Sequence, residues 1–600
     1  MLDGGIDNLS DIIRPEVLKV LGSSSKGVGS VDVVRYSFDS RRKVRQERGG
    51  PVWNIVADVE VEGKVREKRG KVERRPKIKS KTTSLPPPLS LSIPPSSRKS
   101  IVVVGSGPAG IFAALYLSRL PHLTTTLLER GQPVESRGRD IGGLIHRGSM
   151  VPDSNFAFGE GGAGTWSDGK LTTRIGRNSE GVRNVLERLV GYGADESILL
   201  NGAPHLGTDN LVRILKRMRS DIRSNGGTVV FGAKVTDLVT SPTDRRLTGL
   251  TVSLTRSGER HPPALPPPFD LSSCPSGKVV NITCDAAILA TGHSARDVYS
   301  LLLSSNVTLA PKGFAVGFRV EHPQSLVNRW QYGEEWALRV VTGKGGTDGE
   351  NGSGGEGQRG GVPVAAYRLA TDRAEDGSGK ARGAYSFCMC PGGQIVPAGT
   401  VDGNVVVNGM SFSKRDSRFA NAAVVVNVDP DDELLKPWVE KHGVMGGVKF
   451  QEDMERRAAE MGGGNFTVPV QRMTDFVSRT CPSPSVPPPR SSYRLGVKEC
   501  RLDTLYPPQI TAALTDAFQN IFPSRMPGFL SSSGVLHGVE TRTSSPIRVP
   551  RDPKTMESSL PGLFVAGEGA GYAGGIVSAA VDGWRVGSIC EEVLFEGEGA

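Results

Sequence analysis

Ser100-Ile101-Val102-Val103-Val104-Gly105-Ser106-Gly107-Pro108-Ala109-Gly110 leads into Ile111-Phe112-Ala113-Ala114-Leu115-Tyr116-Leu117 and, after a short connection, into Thr124-Thr125-Thr126-Leu127-Leu128-Glu129-Arg130. Ile101–Val104 is a short, continuous apolar run, the pattern of a parallel strand buried on both faces. Gly105, Gly107 and Gly110 form a GxGxxG that opens a helical pattern. Such glycines permit a tight turn and a close backbone approach to pyrophosphate, which the N–H groups and positive end of the following helix receive. Glu129 ends a second predicted strand nineteen residues after Gly110, where a carboxylate takes a ribose hydroxyl. A glycine loop alone is weak. Strand, loop, helix, second strand and terminal acid together predict an α/β dinucleotide-binding unit.

The chain's end decides which dinucleotide. Glu129 repels a 2′-phosphate, which disfavours NADP at this site. Gly562-Leu563-Phe564-Val565-Ala566 predicts another buried strand, running into Gly567-Glu568 and then Gly569-Ala570-Gly571-Tyr572-Ala573-Gly574-Gly575-Ile576, which opens a last helix. So late a return to one sheet suits a flavin. The ribityl chain takes a carboxylate, and a helix N-terminus at the pyrimidine edge stabilises the charge that reduction places there. FAD is therefore the expected cofactor. The GxGxxG spacings at 159–164 and 569–574 belong to the same predicted flavin unit, and those at 352–357 and 355–360 to a compositionally biased insertion, so NAD(P)H is expected only as a transient electron donor at the substrate face.

Residues 10–22 predict a short helix. Val34, Tyr36 and Phe38, then Trp53, Ile55, Ala57, Val59 and Val61, alternate as two strands. The expected organisation is a small αβ module at 1–62, a basic and Pro/Ser-rich linker at 63–99, an FAD-binding domain in two pieces at 100–305 and 541–600, and an inserted β-rich substrate domain at 306–540. Four stretches, 256–278, 342–362, 372–383 and 481–492, read by composition as surface insertions or loops.

The 600 residues carry a net charge of +10. Most of it lies between Lys64 and Lys81, where ten basic residues face only Glu67 and Glu73. That segment supports phosphate attraction but lacks the aromatic residues that stack bases, so nucleic acid is not an expected partner. An RNA-associated or flavin-stabilised interaction protein using 64–81 is the alternative function. No apolar run approaches the roughly 18 residues of a membrane helix. The seven cysteines form no paired CxxC and no disulfide framework, which fits a reducing compartment. Met1-Leu2-Asp3-Gly4-Gly5 does not resemble a signal peptide.

The GxGxxG, Leu127-Leu128-Glu129-Arg130, Ala290-Thr291-Gly292 after an apolar strand, and Val565-Ala566-Gly567-Glu568-Gly569 resemble the glutathione-reductase-type FAD fold. Phe158-Gly159-Glu160-Gly161-Gly162-Ala163-Gly164-Thr165-Trp166-Ser167-Asp168-Gly169-Lys170-Leu171 is similar to a family of FAD-dependent dehydrogenases, FAD/NAD(P)-binding oxidoreductases of bacteria and of plant and algal plastids. Pro204–Asp209, Tyr385–Gly393, Val539–Pro546 and Arg35–Lys43 extend the resemblance over nearly all the chain apart from the insertions. It implies an FAD-dependent oxidoreductase, a small-molecule substrate and a plastid setting, otherwise cytoplasmic. It implies that Gly105, Gly107 and Gly110 hold pyrophosphate, with Ser106, Pro108 and Ala109 completing the loop. Glu129, beside Arg130, would take the adenosine ribose. Gly161 and Gly162 would lie against pyrophosphate or the ring, and Val235 would offer backbone to adenine. Thr291, Gly292, Gly567, Gly574, Gly575 and Ile576 complete the set. Glu568 stands where related flavoproteins commonly carry Asp for the ribitol.

Catalytic residues are unassigned. Arg319 and Arg542 are candidates for binding an acidic substrate, and either also reads as ion-paired. His322, like His205 and His293, reads as an acid/base candidate or as a structural hydrogen-bonder. Cys388 and Cys390 on one strand share a face and read as pocket thiols or as buried core. No cluster has metal-ligand spacing. Glu129→Ala is expected to weaken FAD binding without unfolding the protein.

Overall fold

The computed structural model describes residues 9–21, 28–62, 71–73, 98–173, 175–176, 179–255, 258, 269, 277–340, 362–375, 381–481, 487 and 489–595. Apart from Lys71–Glu73, the basic stretch from Lys64 to Lys81 lies outside these residues, as do most of 256–278, 342–362 and part of 481–492.

Five parallel strands form one sheet in the order Leu563–Val565, Ala286–Leu289, Lys99–Val104, Leu123–Glu129, Thr228–Phe231. Ile101 and Val103 face a layer of helices that includes Pro108–Leu117, Thr208–Ser224 and Ile576–Phe595. Val102 and Val104 face the other way, onto a three-stranded antiparallel sheet of Ala233–Thr240, Leu247–Leu254 and Lys278–Thr283. Both faces of the sheet are therefore covered, which is why Ile101–Val104, Ala286–Leu289 and Leu563–Val565 are continuous apolar runs. The strand latest in sequence, Leu563–Val565, sits at the sheet edge beside Ala286–Leu289.

The second body is an eight-stranded sheet whose main path runs Ala370–Glu375, Ala381–Pro397, Phe419–Val428, Phe314–Pro323, Val535–Glu540, Val468–Arg472, Val497–Glu499, with Val407–Met410 paired to Ala381–Pro397. Phe314, Val316, Phe318 and Val320 point into the largest core, against helices Gly446–Gly462 and Pro508–Asp516. The alternate positions of the same strand, Ala315, Gly317, Arg319 and Glu321, occupy the opposite face. The chain is thus α/β, a Rossmann-type unit joined to a sheet-rich one. Part of 372–383 departs from its loop-like composition. Ala370–Glu375 pairs antiparallel with Ala381–Pro397 as an edge strand, because sheet pairing outweighs local propensity.

At the N-terminal side, helix Leu9–Leu21 precedes the antiparallel pair Val28–Asp39 and Val52–Val61, in register at Phe38↔Trp53. Phe38 meets Tyr332 edge-on at 5.7 Å between centroids.

Candidate functional site: a glycine-lined cradle

Four glycine-bearing segments converge at the carboxyl ends of the parallel strands. Gly105 ends its strand at φ +101, and a Cβ there would stand 2.5 Å from the Ala290 carbonyl oxygen. A Cβ on Gly110 would overlap the Gly105 carbonyl oxygen, so helix Pro108–Leu117 starts hard against the turn. A Cβ on Gly162 would lie 3.2 Å from Gly107 Cα, and one on Gly164 3.0 Å from Ile576 Cγ1. Gly567 abuts Ala109, and Gly569 abuts Gly292. The structure thus gathers the loops at 105–110, 161–164, 290–292 and 567–576.

Between them is room. A Cβ on Gly107 or Gly292, both half-buried, would meet no atom within 4 Å. Gly107 has φ −70, which any residue adopts, so backbone strain does not explain its lack of a side chain. No side chain caps helix Pro108–Leu117, leaving its leading N–H groups to an anion. Open space, helix end and lining glycines fit a dinucleotide. Gly107→Ala should leave the folded chain's stability unchanged or slightly raised, yet weaken FAD binding at least about tenfold by filling the cradle. Gly110→Ala should destabilise the fold itself. Chemical denaturation and FAD titration separate the two effects, and an unaltered FAD affinity in Gly107→Ala would remove this cleft from consideration.

Glu129 is buried and accepts four hydrogen bonds. Oε2 takes Ser106 N–H at 2.9 Å and Ser106 Oγ–H at 2.7 Å, and Oε1 takes Gly131 N–H at 2.8 Å and Gly159 N–H at 3.0 Å. Arg130 lies over the Phe158 ring at 4.3 Å and pairs with Asp153 and Asp297. Val235 is half-buried in strand Ala233–Thr240.

Arg137, unsuspected from sequence, holds the 155–160 loop over the cradle. It is fully buried and donates to the carbonyls of Asn155 (2.9 Å), Phe156 (3.0 Å) and Glu160 (2.7 Å). Burial lowers its guanidinium to about 10, with Glu129 and Glu160 opposing. Asp168 then ties this loop to the large-sheet body: it accepts from the Ser411 hydroxyl and from Arg415.

At the return loop, Gly567 N–H donates to Asp582 Oδ2 at 2.7 Å and Gly574 N–H to Ser578 Oγ at 3.2 Å. Thr291 and Gly292 follow strand Ala286–Leu289, and His293 next to them lies 3.5 Å from Glu568. Gly575 and Ile576 begin helix Ile576–Phe595.

Arg319 is fully buried. Nε donates to Asn421 Oδ1 at 2.8 Å, Nη2 to the Cys388 carbonyl at 2.6 Å, and Nη1 lies 3.5 Å from Glu540. These partners engage the guanidinium as a support behind Cys388. Burial raises Glu540 to about 7 despite Arg319. Cys388 and Cys390 do not share a face: Cys388 has φ +44 at a register break between Phe387 and Cys390, its side chain is exposed, and Cys390 is buried. Surrounding protein nevertheless desolvates the Cys388 thiol and pushes it up to about 12, against Lys170 and Arg319. Lys170, which donates to the Met389 carbonyl, stands beside it.

Arg542 is bound to Glu455 (2.9 Å) and Thr400 (2.8 Å). Burial pushes His205 down to about 4, beside Asp168 and Arg415. His322 lies apart from the cradle, with one ring nitrogen 3.0 Å from the Phe529 carbonyl and its ring edge-on to Trp330; burial pushes it down to about 4. It lines a separate cavity of about 1100 Å³ with Glu321, Arg418 and Arg472.

Residues 349–543 match the family model "FAD-dependent protein, C-terminal domain-like". The chain is 34% identical over 585 residues to a Clostridium beijerinckii protein that bears only the description "uncharacterized protein", covering 97% of this chain and 96% of that one. Among solved structures it is similar to a geranylgeranyl bacteriochlorophyll reductase-like protein of Thermoplasma acidophilum (12% identity, 84% of this chain and 80% of that one, TM-score 0.33). It is also similar to a 3-ketosteroid-Δ4-(5α)-dehydrogenase of Rhodococcus jostii (12% identity, 82% and 95%, TM-score 0.31).

Proposed function

Because the chain belongs to the FAD-dependent protein family, we propose that the glycine cradle holds FAD and that the protein is an oxidoreductase moving a hydride or two electrons between an organic substrate and that cofactor. The observation that carries this reading is the meeting of four glycine segments around open room at Gly107 and Gly292. Bound flavin supplies the two-electron chemistry. The chain's own residues bind and orient. The uncapped N–H groups at Gly107–Gly110 receive pyrophosphate, and Glu129 the adenosine ribose. The N-terminus of Ile576–Phe595 sets its positive end toward the pyrimidine edge. The large-sheet body supplies the substrate side, with Lys170 held at the Met389 carbonyl and Arg319 holding the Cys388 carbonyl from within. NAD(P)H, where it serves as donor, approaches from this same side.

The test is the visible absorption spectrum of the purified protein, before and after anaerobic addition of NADH, NADPH or dithionite. A flavin spectrum that bleaches on reduction supports the reading; a chain that neither retains nor binds FAD refutes it. Reductive titration should consume the same number of electrons per flavin in wild type and in the Cys388→Ser/Cys390→Ser double variant, because the two thiols do not face one another. Two fewer electrons in the variant would instead make them a redox pair.

A further inference from the structure

Strand Phe314–Pro323 joins two separate places in the molecule. It starts two residues after Lys312, whose charge acts on Glu568 in the return loop of the cradle. It ends at Glu321, His322 and Pro323, in the wall of the cavity of about 1100 Å³. Its 10 residues, at about 3.3 Å each, set the two ends roughly 30 Å apart. None of the residues lining the cavity belongs to the cradle loops at 105–110, 161–164, 290–292 or 567–576.

Three arginines from separate segments line this cavity: Arg418 just ahead of strand Phe419–Val428, Arg472 at the end of Val468–Arg472, and Arg490. Arg472 is engaged by the Pro487 carbonyl and by Glu499 at 3.8 Å. The guanidiniums of Arg418 and Arg490 are exposed and make no hydrogen bond or ion pair among the described residues. The acids of the wall do not answer them. Glu321 accepts from the Ser492 hydroxyl and N–H, and burial pushes its carboxyl up to about 7. Glu499 lies against Arg472. Asp475 remains, against two free cations. Gln324 and Ser325 bring to the same wall the N-terminus of helix Gln324–Tyr332, which has no side-chain cap and adds the positive end of its dipole. Phe419, Val535, Pro323 and Pro489 supply apolar surface.

We propose that this cavity binds a small organic phosphate ester, its phosphate taken by Arg418 and Arg490 and its organic part lying against Phe419 and Val535. Guanidinium forks match phosphate oxygens. Less the charge of Asp475, two guanidiniums and a helix end of about half a charge leave an excess of about +1.5. That is close to the charge of about −1.5 to −2 on a phosphate ester at neutral pH, and more than one carboxylate would neutralise. The volume is far larger than a bare phosphate ion needs and stands at the upper end of the range of about 300–1,000 Å³ for cavities that hold organic ligands. Its distance from the return loop makes this an accessory site, apart from the place of hydride transfer.

Phenyl phosphate is the probe, titrated calorimetrically into the full chain at constant ionic strength. Excess FAD is present to fill the phosphate-binding loop of the cradle. The probe should bind with a dissociation constant of about 1 mM or below, at least about threefold more tightly than inorganic phosphate, which has no apolar part. The Arg418→Gln/Arg490→Gln double variant should lose at least about tenfold in affinity. Its unfolding midpoint should stay that of wild type, because both side chains are exposed and unpaired. Absence of binding up to about 10 mM, or equal affinity in the double variant, overturns the site. Benzoate bound as tightly as phenyl phosphate overturns the assignment to phosphate, and inorganic phosphate bound as tightly as the ester overturns the contact with Phe419 and Val535. The double variant also separates this site from the cradle, so a protein that bound no FAD would sink the cofactor reading and leave this test standing.

Discussion

Glu455→Ala should lower the stability of the folded chain by about 3–5 kcal/mol, the usual result of removing one partner from a buried ion pair. Glu455 is fully buried on helix Gly446–Gly462. Its carboxylate accepts from Arg296 at 2.7 Å, from Arg542 at 2.9 and 3.1 Å and from Thr541 Oγ at 2.8 Å. Arg296 begins the helix that follows the Ala290-Thr291-Gly292 turn, and Arg542 follows strand Val535–Glu540. One carboxylate therefore joins the parallel-sheet unit to the large-sheet body beside the cradle. Its loss leaves two guanidiniums close together in a desolvated site. The pH dependence has a definite sign. Despite burial, the two arginines hold the Glu455 carboxyl far below the ordinary carboxylate range. Its contribution is thus fully present above the unfolded pKa of about 4.3 and is lost only as pH falls below that value toward the folded one. Denaturant unfolding of wild type and variant at neutral pH, repeated at about pH 3, measures both. A loss under about 1 kcal/mol at neutral pH would mean that water solvates the site and that the joint is weak.

What the sequence made legible is what local rules govern. The cradle could be read because its glycines answer to local geometry: Gly105 needs φ +101, and Gly110 must let the helix meet the turn. The strands could be read because burial on both faces leaves an uninterrupted apolar run, in Ile101–Val104 as in Leu563–Val565. Period-two reasoning failed at Cys388 and Cys390, where a register break rotates one thiol away from the other, and no local residue pattern marks such a break. Arg137 was invisible because its partners are backbone carbonyls supplied by a later loop. Asp168 was invisible because Ser411 and Arg415 lie more than 240 positions further along the chain. The Arg296–Glu455–Arg542 joint likewise exists only after folding. Arg319 and Arg542 drew notice as arginines that could meet a substrate; long-range pairing shows the protein using both internally.

Glu129→Ala is the second substitution with a large expected effect, and the structure changes what it should do. From the chain alone the carboxylate is a ribose ligand whose loss weakens FAD and spares the fold. In the folded protein its oxygens also gather Ser106, Gly131 and Gly159, joining the GxGxxG turn, the end of strand Leu123–Glu129 and the loop clamped by Arg137. Truncation leaves three backbone N–H groups without their acceptor in a buried site. Each such orphan costs about 1–3 kcal/mol, reduced where water enters the space left by the side chain. The cofactor-free variant should therefore lose about 2–4 kcal/mol in denaturant unfolding. FAD affinity should fall separately by about tenfold to a hundredfold, the weight of a charged hydrogen bond to ribose. The two effects have different partners and can be separated. A carboxylate has about four acceptor positions, all four used here, so a ribose hydroxyl must displace one donor. The Ser106 hydroxyl is the displaceable one, because the three N–H groups are fixed by the backbone. Ser106→Ala should accordingly keep FAD affinity within about threefold of wild type while Glu129→Ala loses it. A tenfold loss in Ser106→Ala would place the ribose on the serine hydroxyl instead, and would leave Glu129 only its part in holding the three loops together.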